Sequence, residues 1–164
     1  MNIILTGMPG CGKTTVCSYL SSMLGYKAVD TDEVIVSEYG EISEIFARYG
    51  EEYFRNLESE AVKRVCGFQN AVIATGGGCL LREENVRAFR ECGKIIYLKT
   101  SIEELLKRLK GDDTRPLLKG DAEANLKDLY VRRSQIYEGT ADYIVATDGL
   151  TPERISKKIT ELLK

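Results

Sequence analysis

Gly7-Met8-Pro9-Gly10-Cys11-Gly12-Lys13-Thr14 read G-x-x-x-x-G-K-T, the spacing of a phosphate-binding loop. Glycines let backbone N–H groups approach an anion closely, and a helix N-terminus behind them favours negative charge. Lys13 has the reach for the outer phosphates, and the Thr14 hydroxyl suits Mg²⁺. The candidate triphosphate site is Gly10, Cys11, Gly12, Lys13, Thr14 and Thr15. Its chemistry is nucleoside triphosphate binding, which leaves open what receives the phosphate. A Cys11 thiol beside a helix N-terminus would have a lowered pKa and would be alkylated ahead of the other thiols, with ATP protecting it.

A second group of residues could handle an acceptor. In Asp30-Thr31-Asp32 an extended backbone would point both carboxylates the same way. Such a pair could supply a metal-side oxygen (Asp30) and a group that takes or orients the acceptor proton (Asp32). A helix N-cap is the other use of Asp32. Arg55 and Glu58 stand three apart, so a helix would pair them and fix the guanidinium for a carboxylate; a plain surface ion pair is the alternative. Gly76-Gly77-Gly78 suit either a substrate lying against the backbone or a loose turn. Arg115, in Arg115-Pro116-Leu117-Leu118, and Arg132-Arg133 add cations for an anionic substrate.

Strands and helices must position these groups. Apolar β-rich runs predict strands at Asn2–Thr6, Tyr26–Asp30, Ala71–Ala74, Lys94–Leu98 and Asp142–Thr147. Helical spacing predicts helices at Lys13–Leu24, Asp32–Tyr39, Ser43–Tyr49, Glu51–Cys66, Arg82–Cys92, Ser101–Leu109, Ala122–Gly139 and Thr151–Leu163. This alternation is α/β, with βαβ units around a mostly parallel sheet and ligands beyond the carboxyl ends of its strands. The chemical motifs fall largely at such ends. The polar stretch Lys110–Asp121 is long for a connection in a compact domain and reads as a lid over the nucleotide.

At 164 residues the chain fits one domain. Hydrophobic content of 43%, charged content of 29% and a net charge of −2 are those of an ordinary soluble protein, with no nucleic-acid surface and no membrane segment. Five cysteines without a C-x-x-C pair indicate free thiols in a reducing compartment. A start without a basic-then-apolar leader makes the cytoplasm the expected location. Histidine is absent, so a proton acceptor must be a carboxylate, lysine, tyrosine or cysteine.

In order and spacing these motifs resemble the shikimate kinases along essentially the whole chain. The resemblance rests on G-x-x-G-x-G-K-T at Gly7–Thr14, D-T-D at Asp30–Asp32 and I-F-x-x-x-G-E-x-x-F-R-x-x-E from Ile45 to Glu58. It continues in the triple glycine, R-P-L-L at Arg115–Leu118 and R-x-x-x-Y at Arg133–Tyr137. It implies a three-layer αβα fold with a five-stranded parallel sheet in the nucleoside monophosphate kinase manner, residues 1–164 forming one domain. The implied lid is at about 110–121, and the implied shikimate-binding helices at about 32–62. It implies transfer of the ATP γ-phosphoryl group to the 3-hydroxyl of shikimate, with one Mg²⁺ and a monomeric enzyme. By the same resemblance Thr14 and Asp30 serve the metal, Asp32 is the candidate base, and Lys13 and Arg115 meet the transferring phosphate. Arg55 and Arg133 clasp the shikimate carboxylate over Gly76, Gly77 and Gly78, and Arg108 stacks on adenine. Two departures stand out: Gln135 where the family often has proline, and Cys11 where a smaller residue is usual. A gluconate or nucleotide kinase of the same fold is the nearest competitor. A GTPase-like switch would need N-K-x-D, whereas Asn125-Leu126-Lys127-Asp128 has the wrong order.

Overall fold

The computed structural model describes residues 1–110 and 121–164. Residues 111–120, which carry Arg115 and most of the expected lid, lie outside the described residues. The chain begins with strand β1 (Asn2–Thr6), all five residues of which are buried. A strand covered on both faces by helices reads as a continuous apolar run, as Ile3-Ile4-Leu5 does. Glycines at positive φ (Gly7 150°, Gly10 84°, Gly12 96°) turn the chain from β1 into α1 (Lys13–Leu24). At Gly7 any Cβ would lie 2.8 Å from both Cys11 Sγ and the Leu98 carbonyl oxygen.

Strand β2 (Lys27–Asp30) starts one residue later than expected and hands over at once to α2 (Thr31–Tyr39). Next come α3 (Ile42–Cys66), β3 (Ala71–Ala74), a 3₁₀ turn at Cys79–Leu81, α4 (Glu83–Cys92) and β4 (Gly93–Lys99). The chain ends through α5 (Ile102–Leu109), α6 (Ala122–Thr140), β5 (Tyr143–Ala146) and α7 (Pro152–Leu162). Within α3, Gly50 is non-helical at φ 83° and ψ 177°, so the two helices expected on either side of it are present, joined by a kink. The 3₁₀ turn had no sequence signal, because three residues are too few for a period.

The sheet is parallel throughout, in the order β2-β3-β1-β4-β5. Helices flank it to make the three-layer αβα architecture: α1 packs on α7, and α3 on α4. One apolar cluster spans the sheet and its helices. A separate cluster of Ile35, Ile45, Phe54, Leu57 and Ala61 binds α2 to α3. The order puts β1 between β3 and β4, so the loops after β1, β3 and β2 open side by side at one end of the sheet. The candidate residues are carried there.

Candidate active site

The loop after β1 is closed by its own lysine. Lys13 Nζ donates to the carbonyls of Gly7 (2.8 Å) and Met8 (3.1 Å). Arg108, in the last turn of α5, donates through Nη1 to the Gly10 carbonyl (3.0 Å) and through Nε to Glu104 (3.3 Å). A residue almost a hundred positions away is thereby held over the loop, beside the face that Gly12 leaves open. Cys11 points inward and is 1% exposed. This overturns the expectation that it is the fastest thiol to alkylate: the loop presents its backbone and hides its sulfur.

Asp30 and Asp32 divide their work differently from the expected extended pair. Asp30 ends β2 and is itself the helix cap, its Oδ1 accepting from the backbone N–H groups of Asp32 (2.8 Å) and Glu33 (3.3 Å). Its Oδ2 accepts from the Thr14 hydroxyl at 3.2 Å. Asp32 is in the first turn of α2, aimed by the helix rather than by strand alternation. Thr14 and Asp30 form a pair of hard oxygen donors beside the phosphate loop. Mg²⁺ takes one or two protein oxygens and fills the rest of its octahedron with phosphates and water, so these two residues fit it without a protein cage.

Arg55, Glu58 and the triple glycine meet around Asp32. Arg55 Nη1 donates to Glu58 Oε1 at 2.6 Å, and Nη2 to Glu51 Oε1 at 3.2 Å. Glu58 is 1% exposed, so this is an inward-facing pair rather than a surface one. Burial opposes the Arg55 charge, but Glu58 and then Glu51 outweigh it and raise the guanidinium pKa. Glu58 Oε2 accepts from the buried Cys79 thiol (3.4 Å), which also contacts the Thr31 hydroxyl (3.6 Å). Thr31 Oγ1 in turn accepts from the Gly76 N–H at 2.9 Å.

The three glycines leave the space that the site's charged side chains occupy. A Cβ on Gly76 would come 2.6 Å from Asp32 Oδ1 and 2.9 Å from Glu58 Oε2. One on Gly77 would come 2.9 Å from Arg133 Nη1 and 3.6 Å from Pro9 Cδ, and one on Gly78 would overlap the Arg55 guanidinium. Tyr137, one turn beyond Arg133 on α6, donates its hydroxyl to the Gly77 carbonyl at 2.7 Å. Burial pushes that hydroxyl's pKa up to about 12, which keeps it a donor.

Asp32 lies among these charges. Burial first, then Asp30 and Glu58, push its carboxyl up to about 6, against the opposing pull of Lys13 and Arg55. A carboxylate tuned toward neutrality in a cleft is suited to proton transfer. The glycine floor therefore brings Asp32, Arg55 and Arg133 together, with Pro9 of the phosphate loop at its border; Arg115 lies outside the described residues. Sequence reasoning missed the supporting set of Thr31, Cys79 and Tyr137. Tyr137 was visible as a motif letter without a role, and nothing marked the buried Cys79 thiol as a partner of Glu58.

The chain is similar to known proteins along its length. The family model for shikimate kinase matches residues 9–164. The shikimate kinase of Caldicellulosiruptor bescii is 44% identical over 163 residues, covering 98% of this chain and 94% of that one. The structure of the shikimate kinase from Acinetobacter baumannii in complex with shikimate has a TM-score of 0.93 at 34% identity, covering 99% of this chain and 92% of that chain. The shikimate kinase from Aquifex aeolicus gives a TM-score of 0.86 at 36% identity, over 99% of this chain and 96% of that chain. A match that spans both chains nearly end to end, with Asp32, Arg55 and Arg133 brought to Gly76–Gly78, has one conclusion: this chain belongs to the shikimate kinase family.

Proposed function

We propose that this chain transfers the γ-phosphoryl group of ATP to the 3-hydroxyl of shikimate, giving shikimate 3-phosphate and ADP on the route to chorismate and the aromatic amino acids. The observation that carries the reading is the convergence of Asp32, Arg55 and Arg133 on the Gly76–Gly78 floor next to the phosphate loop. A carboxylate with two facing guanidinium groups fits a small polyol acid. It fits neither a nucleotide base nor an uncharged sugar.

Transfer spreads negative charge over the equatorial oxygens of the phosphoryl group, so catalysis consists mainly of positioning and cation placement. Lys13 exchanges its bonds to the Gly7 and Met8 carbonyls for phosphate oxygens. Arg115, outside the described residues, is assigned to the same group by its motif alone, and Arg108 holds the loop from the adenine side. Arg55 and Arg133 bind the remote carboxylate, with Gly76, Gly77 and Gly78 allowing the ring to lie close, so that binding energy aligns the reacting hydroxyl. Asp32 accepts or orients that hydroxyl's proton. Thr14 and Asp30 would hold Mg²⁺, which would neutralise charge on the phosphates. One chain carries the whole constellation, so the protein is proposed to act as a monomer, in the cytoplasm. Among the described residues no helix is long and apolar enough to cross a membrane.

The test is ADP release with shikimate set against sugar acids and nucleoside monophosphates. Release that requires shikimate is expected. Faster turnover with gluconate or a nucleotide would reject the reading.

A further inference from the structure

The opposite end of the sheet carries a second chemical feature. Cys66 is the last residue of α3 and Cys92 the last of α4, and each is followed by a glycine, Gly67 and Gly93. Gly93 opens β4 in register with Asn2 of β1, and a Cβ there would overlap the Asn2 carbonyl. The end of α4 is thus pressed against the start of β1. Asn2 ties the end of α3 into the same place, its amide donating to the Phe68 carbonyl at 2.7 Å and accepting from the Ala71 N–H at 3.0 Å. Both thiols line one open groove of about 760 Å³, with Met1, Asn2, Lys63 and Phe68. Both are free and half-buried, whereas Cys11, Cys17 and Cys79 are buried.

The two thiols line the same groove and shift each other's titration. The neighbouring Cys66 thiol, helped by Asn2, holds the Cys92 pKa down against burial and Glu91, while Cys92 and burial raise that of Cys66. An acidified, accessible thiol beside a second, protonated one is the arrangement of a peroxide-reactive and a resolving cysteine.

We propose that Cys66 and Cys92 form a reversible dithiol–disulfide clamp that ties the end of α3 to the end of α4, with a hydroperoxide as oxidant. The Cys92 thiolate attacks one peroxide oxygen, the O–O bond breaks, and the leaving hydroxide takes up the Cys92 proton as water. The Cys66 sulfur then attacks the Cys92 sulfenic acid. An S–S bond forms, the S–O bond breaks, and the hydroxyl leaves with the Cys66 proton as a second water. Two thiols and one peroxide become one disulfide and two waters, and a thiol reductant reverses the change.

The experiment treats the full chain with dilute hydrogen peroxide, then maps its peptides and melts it with and without dithiothreitol. The expected result is loss of the mass of two hydrogens, one linkage joining the Cys66 and Cys92 peptides, and a Tm higher by about 5–10 °C that dithiothreitol reverses. Cys66→Ser should leave Cys92 to run on to the sulfinic acid, with no Tm gain. Linkage through another cysteine, independent oxidation of the two thiols in the unaltered chain, or an unchanged Tm after linkage would each overturn the proposal.

Discussion

Asp32, proposed as the proton acceptor, shows what a buried carboxylate costs the fold. Burial, Asp30 and Glu58 push its carboxyl up to about 6 from an ordinary 3.8. The unfolded chain therefore loses this proton at lower pH than the folded one, and the folded state is penalised as pH rises from 3.8 through 6. Above that range the penalty is complete, at about 2–3 kcal/mol. Asp32→Asn should remove it: the variant melts above the parent at pH 8, and the difference closes as pH falls toward 4. The same change should lower kcat by about 10²–10⁴-fold with less effect on either KM, measured by ADP release. A near-normal kcat would remove Asp32 as the base. In the parent, activity should fall as pH drops through 6, where the carboxylate takes up its proton. Arg133 reaches the Gly77 floor and is proposed to bind the acid, so Arg133→Ala should raise the shikimate KM by about 10–100-fold and leave the ATP KM nearly unchanged. These identities were legible in the sequence because each motif letter is a chemical group. Their orientations were not. Strand alternation placed Asp30 and Asp32 side by side, whereas a hydrogen bond from the Asp32 N–H to Asp30 starts a helix between them and aims each carboxylate separately.

Elements position these groups through two kinds of glycine. Gly50 sits at φ 83° with nothing near its missing Cβ, so it is needed for backbone conformation. Gly50→Ala should cost about 1 kcal/mol of stability by chemical denaturation and leave shikimate binding nearly intact. Gly78 has an ordinary φ of −98°, yet its Cβ would occupy the place of the Arg55 guanidinium. A flexible side chain can swing aside, so Gly78→Ala should keep its Tm within a few degrees while the shikimate KM rises by tenfold or more, about 1.4 kcal/mol or above. Strain acts on the fold and displacement acts on the site, and measuring both quantities on both variants separates them. The strand and helix alternation was readable for a related reason. Buried parallel strands must be apolar throughout and their crossover helices amphipathic, so the two periods differ. The break at Gly50 could be read where a glycine divides two amphipathic segments. The burial of Cys11 could not, because a loop has no period from which to infer a side chain's direction.

At the scale of the molecule, the described residues form one sheet with a smaller second core beside its main one. The main cluster runs through all the central strands, whereas the α2–α3 cluster has five buried residues and is joined to the main core through Val34. Local stability follows buried apolar contact, so α2 and the start of α3 should open without unfolding the sheet. Asp32 and Arg55 are on those helices, while the phosphate loop is on β1 and α1. By the proposed function, an opened α2–α3 unit could not clasp the acid, while the phosphate loop beside it would stay formed. Shikimate at a hundred times its Kd should therefore raise the opening free energy of α2 and α3 amides by about 2.7 kcal/mol, while a non-hydrolysable ATP analogue should mainly protect β1 and α1. Native-state hydrogen exchange with each ligand separately checks this. Equal protection of both regions by either ligand would mean that the two cores open as one unit, and that the acid site is no more mobile than the sheet.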